Sequence, residues 1–238
     1  MEEPQNMVQN RVVAVVPLRP DDCAASLTIA GRSVLDSTVR ALRSVPEIGS
    51  LVLALDGIAA ADCLSAIDNP KSLGILTSAP SAGRWAAIAS ALAVAGEAET
   101  VLLHNPDRPL VSAIGIGQLL RQAGPDAATV SAMPVHSSIK RVVDGRIVAT
   151  VPRENLHTAQ SPWVFGRQQL VAALSSAIDL AWTARDELEL ARHAGIPVRI
   201  AEGNLFNVPI ASRADARFAE MAVGRQLVSL PGRFASPA

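Results

Sequence analysis

The chain contains no tyrosine, and Phe and Trp together make up only 3% of it. A core built from large rings is excluded, so Ala, Val, Leu and Ile must fill the interior. That composition suits helices packed on a parallel sheet. Only two cysteines are present, Cys23 and Cys63. They are too few for a disulfide framework, and a reduced, cytoplasmic setting is expected. No sign of charge dominates: 21 basic residues stand against 22 acidic ones, a net charge of −1. This removes the electrostatic case for nucleic acid or an anionic membrane as a partner. No apolar run is long enough to span a bilayer. The opening MEEPQNMVQN is polar and acidic, so no signal peptide is expected there. His136, His157 and His193 lack metal-ligand spacing, which argues against a zinc site. There is also no glycine before Gly31. Strands that serve nucleotides often run into glycines whose backbone N–H groups close on phosphates, and the first loop here has no such device.

What is present is enough for one large α/β domain: 238 residues, 49% of them hydrophobic. Val12, Val13, Val15 and Val16 form a β-branched run typical of a buried parallel strand. The run enters Pro17-Leu18-Arg19-Pro20-Asp21-Asp22, where two prolines remove two N–H donors. Ser33 with Asp36 resembles a capping box for a helix that ends near Pro46. Strands are expected at 51–55, 73–77, 100–104 and 128–135. Helices are expected near 59–67, 84–95 and 112–123. The resulting βαβαβαβαβ pattern predicts a doubly wound, mostly parallel sheet. Then Asp144-Gly145, between two alternating runs, predicts a hairpin over 139–151. A hairpin at this point would project as an arm over about 136–158. Beyond it, strands are expected at 162–165, 197–201 and 205–210, with helices near 167–178 and 185–194 and a last helix from Ser212. A single domain over 11–230 is predicted, with disordered tails at 1–10 and 231–238.

The segment most suggestive of chemistry is His104-Asn105-Pro106-Asp107-Arg108-Pro109. It follows a buried strand at its carboxyl end, where open α/β sheets place ligands. A structural explanation is also available: two prolines fix a rigid turn, Arg108 caps a helix or pairs with Asp107, and His104 is a hydrogen-bonded core residue. Asp186-Glu187 fits the first turn of a helix, where carboxylates complement the dipole. Asp56-Gly57 reads as a turn.

Taken in order, these segments resemble the 2-C-methyl-D-erythritol 4-phosphate cytidylyltransferase family. That family joins CTP to a sugar-alcohol phosphate in the non-mevalonate isoprenoid pathway, with Mg²⁺. The resemblance implies a nucleotidyltransferase α/β fold and a homodimer built through a β-arm. The family's His-Asp-Ala-Ala-Arg-Pro matches His104 to Pro109, and its cytidine-side Arg matches Arg84. Its Thr-x-Lys matches Ser138-Ile139-Lys140, and its Thr-Val-x-Arg matches Thr150-Val151-Pro152-Arg153. Its Thr-Pro matches Ser161-Pro162, and its Asp-Glu matches Asp186-Glu187. The resemblance thus implies nucleotide binding by Arg84, His104, Asn105 and Arg108. It implies sugar-phosphate binding by Ser138, Lys140, Arg153, Ser161 and Asp186. Ser138 keeps a hydroxyl and Arg153 a guanidinium fork for a phosphate.

The departures from the family cluster together. Its Gly-rich loop is replaced and shortened, and its loop lysine falls on Ala24. Its cytosine-reading Ser becomes Ala87, its metal-binding Asp becomes Asn105, and its late Lys becomes Pro209. Loss of one preorganised donor costs on the order of 10²–10³ in rate. The combined loss therefore exceeds about four orders of magnitude even without additivity. Arg19, Arg84 and Arg108 are the candidate cations for rescue, Asp107 or Asn105 the candidate metal ligands, and Mg²⁺ the expected cofactor if the chain is active. Three readings stay open. One is a divergent homologue with impaired CTP chemistry and a phosphorylated-ligand pocket. Another is a working nucleotidyltransferase with a rebuilt loop. The last is a non-catalytic partner or regulator of a true paralogue.

Overall fold

The computed structural model describes residues 12–23, 27–81, 83–225 and 227–228. The expected tails and Ala24 lie outside the described residues. β1 (Val12–Leu18) is followed by a single helical turn, α1 (Pro20–Cys23), and a small hairpin, β2 (Thr28–Ile29) with β3 (Arg32–Ser33). That hairpin and α1 have no counterpart among the expected elements. α2 (Val34–Arg43) begins at the expected cap, where Ser33 Oγ accepts the Asp36 N–H at 3.0 Å. β4 (Ile48–Leu55), α3 (Ala60–Ser65), β5 (Ile75–Thr77), α4 (Arg84–Val94), β6 (Thr100–Leu103), α5 (Ala113–Gln122) and β7 (Ala128–Pro134) continue the alternation. β8 (Ile139–Val143) and β9 (Arg146–Val151) form the predicted hairpin. Its turn residues Asp144 and Gly145 take φ of 47° and 75°, the left-handed pair a tight hairpin turn needs. β10 (His157–Gly166), α6 (Arg167–Asp179), α7 (Glu187–His193), β11 (Val198–Glu202) and α8 (Arg213–Gly224) complete the chain.

Among the described residues, seven strands form one sheet in the order β11-β7-β10-β6-β1-β4-β5. All neighbours are parallel except β10, which runs antiparallel to both β6 and β7. Alternation along β1 explains the two covered faces. Val13 and Val15 join α4, α6 and α7 on one side, while Val12, Ala14, Val16 and Leu18 join α2, α3 and α5 on the other. A smaller core holds α8 against Ile29, Leu110 and Ile210. The β8–β9 arm stands apart as its own two-stranded sheet, with Val142, Val143, Ile147 and Val148 exposed.

The expected strand at 205–210 does not form. Pro209 has no N–H for a ladder, and the backbone is used elsewhere: Ile210 N–H donates to Asp107 O at 2.8 Å. The strand expected at 162–165 is longer, from His157 to Gly166. It carries a bulge: Ala159 pairs with Ala132 but Trp163 pairs with Val130, so two extra residues sit in β10.

Candidate functional site

The chain builds outward from β1 through β4 to β5, then returns to β6 on the other side of β1. Ligands of open α/β sheets bind outside the carboxyl ends at such a reversal, and the candidate residues gather there. His104 continues the ladder, its N–H donating to Val15 O at 3.0 Å. Its ring is 1% exposed. Nε2 lies 3.0 Å from Arg108 O and Nδ1 lies 3.1 Å from Ser161 Oγ. The carbonyl can only accept, so Nε2 carries the proton and Nδ1 accepts from the Ser161 hydroxyl. That hydroxyl in turn accepts the Asn105 N–H at 3.0 Å. Burial, above all, lowers the His104 pKa to about 4. The ring is neutral and fastens the loop from beneath. The β10 bulge delivers Ser161 to this position. Asn207 Nδ2 secures the bulge by donating to Ser161 O at 2.6 Å, and Gln160 does so by bonding both ways with Asn204.

Arg84 opens α4, and its guanidinium pairs with Glu187 at the start of α7. It also donates to Asn105 Oδ1 at 3.3 Å. The approach of α4 is set by Asp56, whose Oδ1 accepts the Gly83 N–H at 2.7 Å. Arg108 donates to Asn207 O, while its Nε and the neighbouring Asp107 Oδ1 are buried without hydrogen-bond partners among the described residues. Burial raises the Asp107 pKa, with Arg108 pulling it down. Burial lowers that of Arg108, with Asp107 opposing. Thr38 holds the loop from α2 by donating to Pro106 O at 2.7 Å.

The described part of the first loop is spent on its own structure. β1 runs on to Leu18, with Pro17 buried in the sheet opposite Ala54. Arg19 then caps its own turn: its N–H donates to Asp22 Oδ2 at 2.8 Å, and Asp22 N–H returns to Arg19 O at 3.0 Å. Its side chain is 70% exposed and lies 3.6 Å from Asp22. Arg19 and Asp22 are close enough for their charges to act on Asp107. Where a phosphate cradle would offer N–H groups, the described residues of this loop offer two prolines and a self-capped turn.

Of the residues singled out from the sequence, Arg84, His104, Asn105, Asp107, Arg108 and Ser161 share one cluster. Ser138, Lys140 and Arg153 lie on or beside the arm. There Lys140 Nζ donates to Thr150 Oγ1 at 2.8 Å and Arg153 donates to His136 O. Asp186 caps α7 through the Glu189 N–H at 2.8 Å. Ala87 is fully buried in the core. The residue that reaches Arg84 is Glu187, which sequence reasoning places only on the helix dipole. A signal is available: Glu187, Leu190 and Ala191 fall at i, i+3 and i+4, and all are buried, so a carboxylate occupies the apolar face. Asp56, read as a turn, positions α4. No helix among the described residues is long and apolar enough to cross a membrane.

The family described as 2-C-methyl-D-erythritol 4-phosphate cytidylyltransferase matches residues 19–225. The protein of that name from Symbiobacterium thermophilum is 32% identical over 198 residues, covering 82% of each chain. The one from Aeromonas hydrophila is 30% identical, covering 89% of this chain and 86% of its own. Among solved structures, the cytidylyltransferase of Thermus thermophilus superposes with a TM-score of 0.73 at 28% identity, over 89% of this chain and 98% of that one. On these matches, the chain belongs to the 2-C-methyl-D-erythritol 4-phosphate cytidylyltransferase family.

Proposed function

We propose that the chain is a divergent member that binds the phosphorylated small molecules of its family but transfers the cytidylyl group poorly or not at all. The observation that carries this reading is the end of β1. The backbone N–H of Arg19 is taken by Asp22, and Pro17 and Pro20 have none to give. At Pro17, Arg19 and Pro20, triphosphate binding and charge stabilisation lose their backbone donors, while the Arg84–Asn105 edge of the cleft keeps its own. The arm supports the sugar-phosphate half of the reading. Ser138, Lys140 and Arg153 lie on or beside the arm, and a second copy docked through the exposed arm would bring them to a neighbouring cleft. A cytoplasmic homodimer is part of the same proposal.

Two measurements test it. With CTP, methylerythritol phosphate and Mg²⁺, diphosphate release should be slower than that of an active family member by about 10⁴-fold or more. Turnover within tenfold of that member would overturn the reading. Calorimetric titration with methylerythritol phosphate should give a signal that Arg153→Ala removes. A signal indifferent to that change would sink the arm's role.

A further inference from the structure

The family implies Mg²⁺, and the residues present do not fit it. Mg²⁺ takes near-octahedral oxygen ligands, as a rule one or two carboxylates beside substrate phosphates. Position 105 holds an amide, and its oxygen already accepts from Arg84 Nη2 at 3.3 Å. Arginine only donates, so the amide oxygen must face it. A dication at that oxygen would press against the guanidinium. Three of the nearby carboxylates are engaged. Glu187 pairs with Arg84, and Asp22 lies 3.6 Å from Arg19. Asp56 Oδ1 holds the Gly83 N–H. Asp107 Oδ1 has no hydrogen-bond partner among the described residues, but it is buried next to Arg108, whose charge a dication there would face. Among the described residues, no three His, Cys, Asp or Glu side chains are grouped to hold a metal ion.

The contact that removes the amide oxygen frees the other end of the same group. Asn105 Nδ2 has no protein partner among the described residues, and Asn105 is only partly buried. We infer that the cleft takes the phosphate of a nucleotide as a bare anion, with Asn105 Nδ2 donating beside Arg84 and no divalent cation bridging. An amide donor attracts an anion where a carboxylate would repel it. This rests on the ligand class proposed above and specifies how that ligand is held. Mg²⁺ then acts as a competitor, because it occupies the phosphate oxygens that Arg84 and Asn105 would bind.

The test is calorimetric titration of the full chain with CTP, in EDTA and in Mg²⁺, with methylerythritol phosphate as a second titrant. CTP affinity in EDTA should equal or exceed that in Mg²⁺. Adding protein to Mn²⁺ and CTP should leave water-proton relaxation unchanged. Asn105→Asp should weaken CTP binding in EDTA by roughly tenfold to a hundredfold, the scale of one charge-assisted hydrogen bond, and Mg²⁺ should reverse part of that loss. CTP binding by the unaltered protein that requires Mg²⁺, or tightens about tenfold with it, a factor of about 1.4 kcal/mol, overturns the inference and leaves the proposed function standing. Binding of methylerythritol phosphate alone does the same. Silence toward both ligands overturns both. If Asn105→Asp fails to fold, the EDTA and Mg²⁺ comparison on the unaltered protein decides by itself.

Discussion

Arg84→Met should lower stability by about 3 kcal/mol and abolish the calorimetric signal from CTP. The cause lies in Glu187, whose side chain is only 10% exposed and is paired with Arg84, itself 30% exposed. Removing one partner of a buried pair costs about 3–5 kcal/mol because the other charge is left without compensation. Water reaches the Arg84 end, which places this pair at the lower limit. Adding Glu187→Leu to Arg84→Met removes the stranded carboxylate from beside Leu190 and Ala191. The double variant should recover most of the urea midpoint yet still fail to bind, which separates anchoring from ligand contact. Equal midpoints for the unaltered protein and Arg84→Met would refute the anchoring role.

The second large effect is a loss of stability in acid that depends on His104. In the unfolded chain its pKa is near 6.5, and in the fold burial lowers it to about 4. A depressed pKa contributes stability that is present above 6.5 and lost as pH falls through 4. The loss amounts to about 2 kcal/mol at pH 5 and about 3 kcal/mol at pH 4. His104→Gln keeps a donor for Arg108 O and cannot titrate, so its urea midpoint should fall less steeply between pH 6.5 and 4. The difference between the two profiles isolates the histidine from the carboxylates. Asp107 runs the other way. Its pKa is raised, so stability present below the ordinary carboxylate range is lost as pH rises through the raised value. Parallel slopes for the two proteins would refute the buried, neutral ring.

Local signals carried much of the fold. The valine run of β1, the Ser33 cap and the Asp144-Gly145 turn each specify an element without help from distant residues, and each forms as expected. The alternation of strands and helices was legible for the same reason. The β10 bulge was not, because it is a register mismatch between two strands and Pro162 marks only a break in the ladder, not the shift. The 205–210 segment is no strand because Pro209 has no N–H for a ladder and the Ile210 N–H is given to Asp107 O, a demand that no local pattern reports. At the site, the residue types in His104 to Arg108 were readable, but their partners were not. Arg84 and Glu187 are 103 positions apart, and only the meeting of α4 with α7 joins them.

The bond from Ile210 N–H to Asp107 O has a dynamic consequence. Ile210 and Leu110 belong to the small core under α8, not to either main layer. Small satellite cores open locally at lower free energy than the global transition. The amide of Ile210 should therefore exchange with deuterium faster than those of β1, at a rate set by partial release of α8. Each such opening also unfastens the carbonyl of Asp107. The exchange clock of this one amide counts how often the cleft loses its floor, and a ligand that settles the loop should slow it.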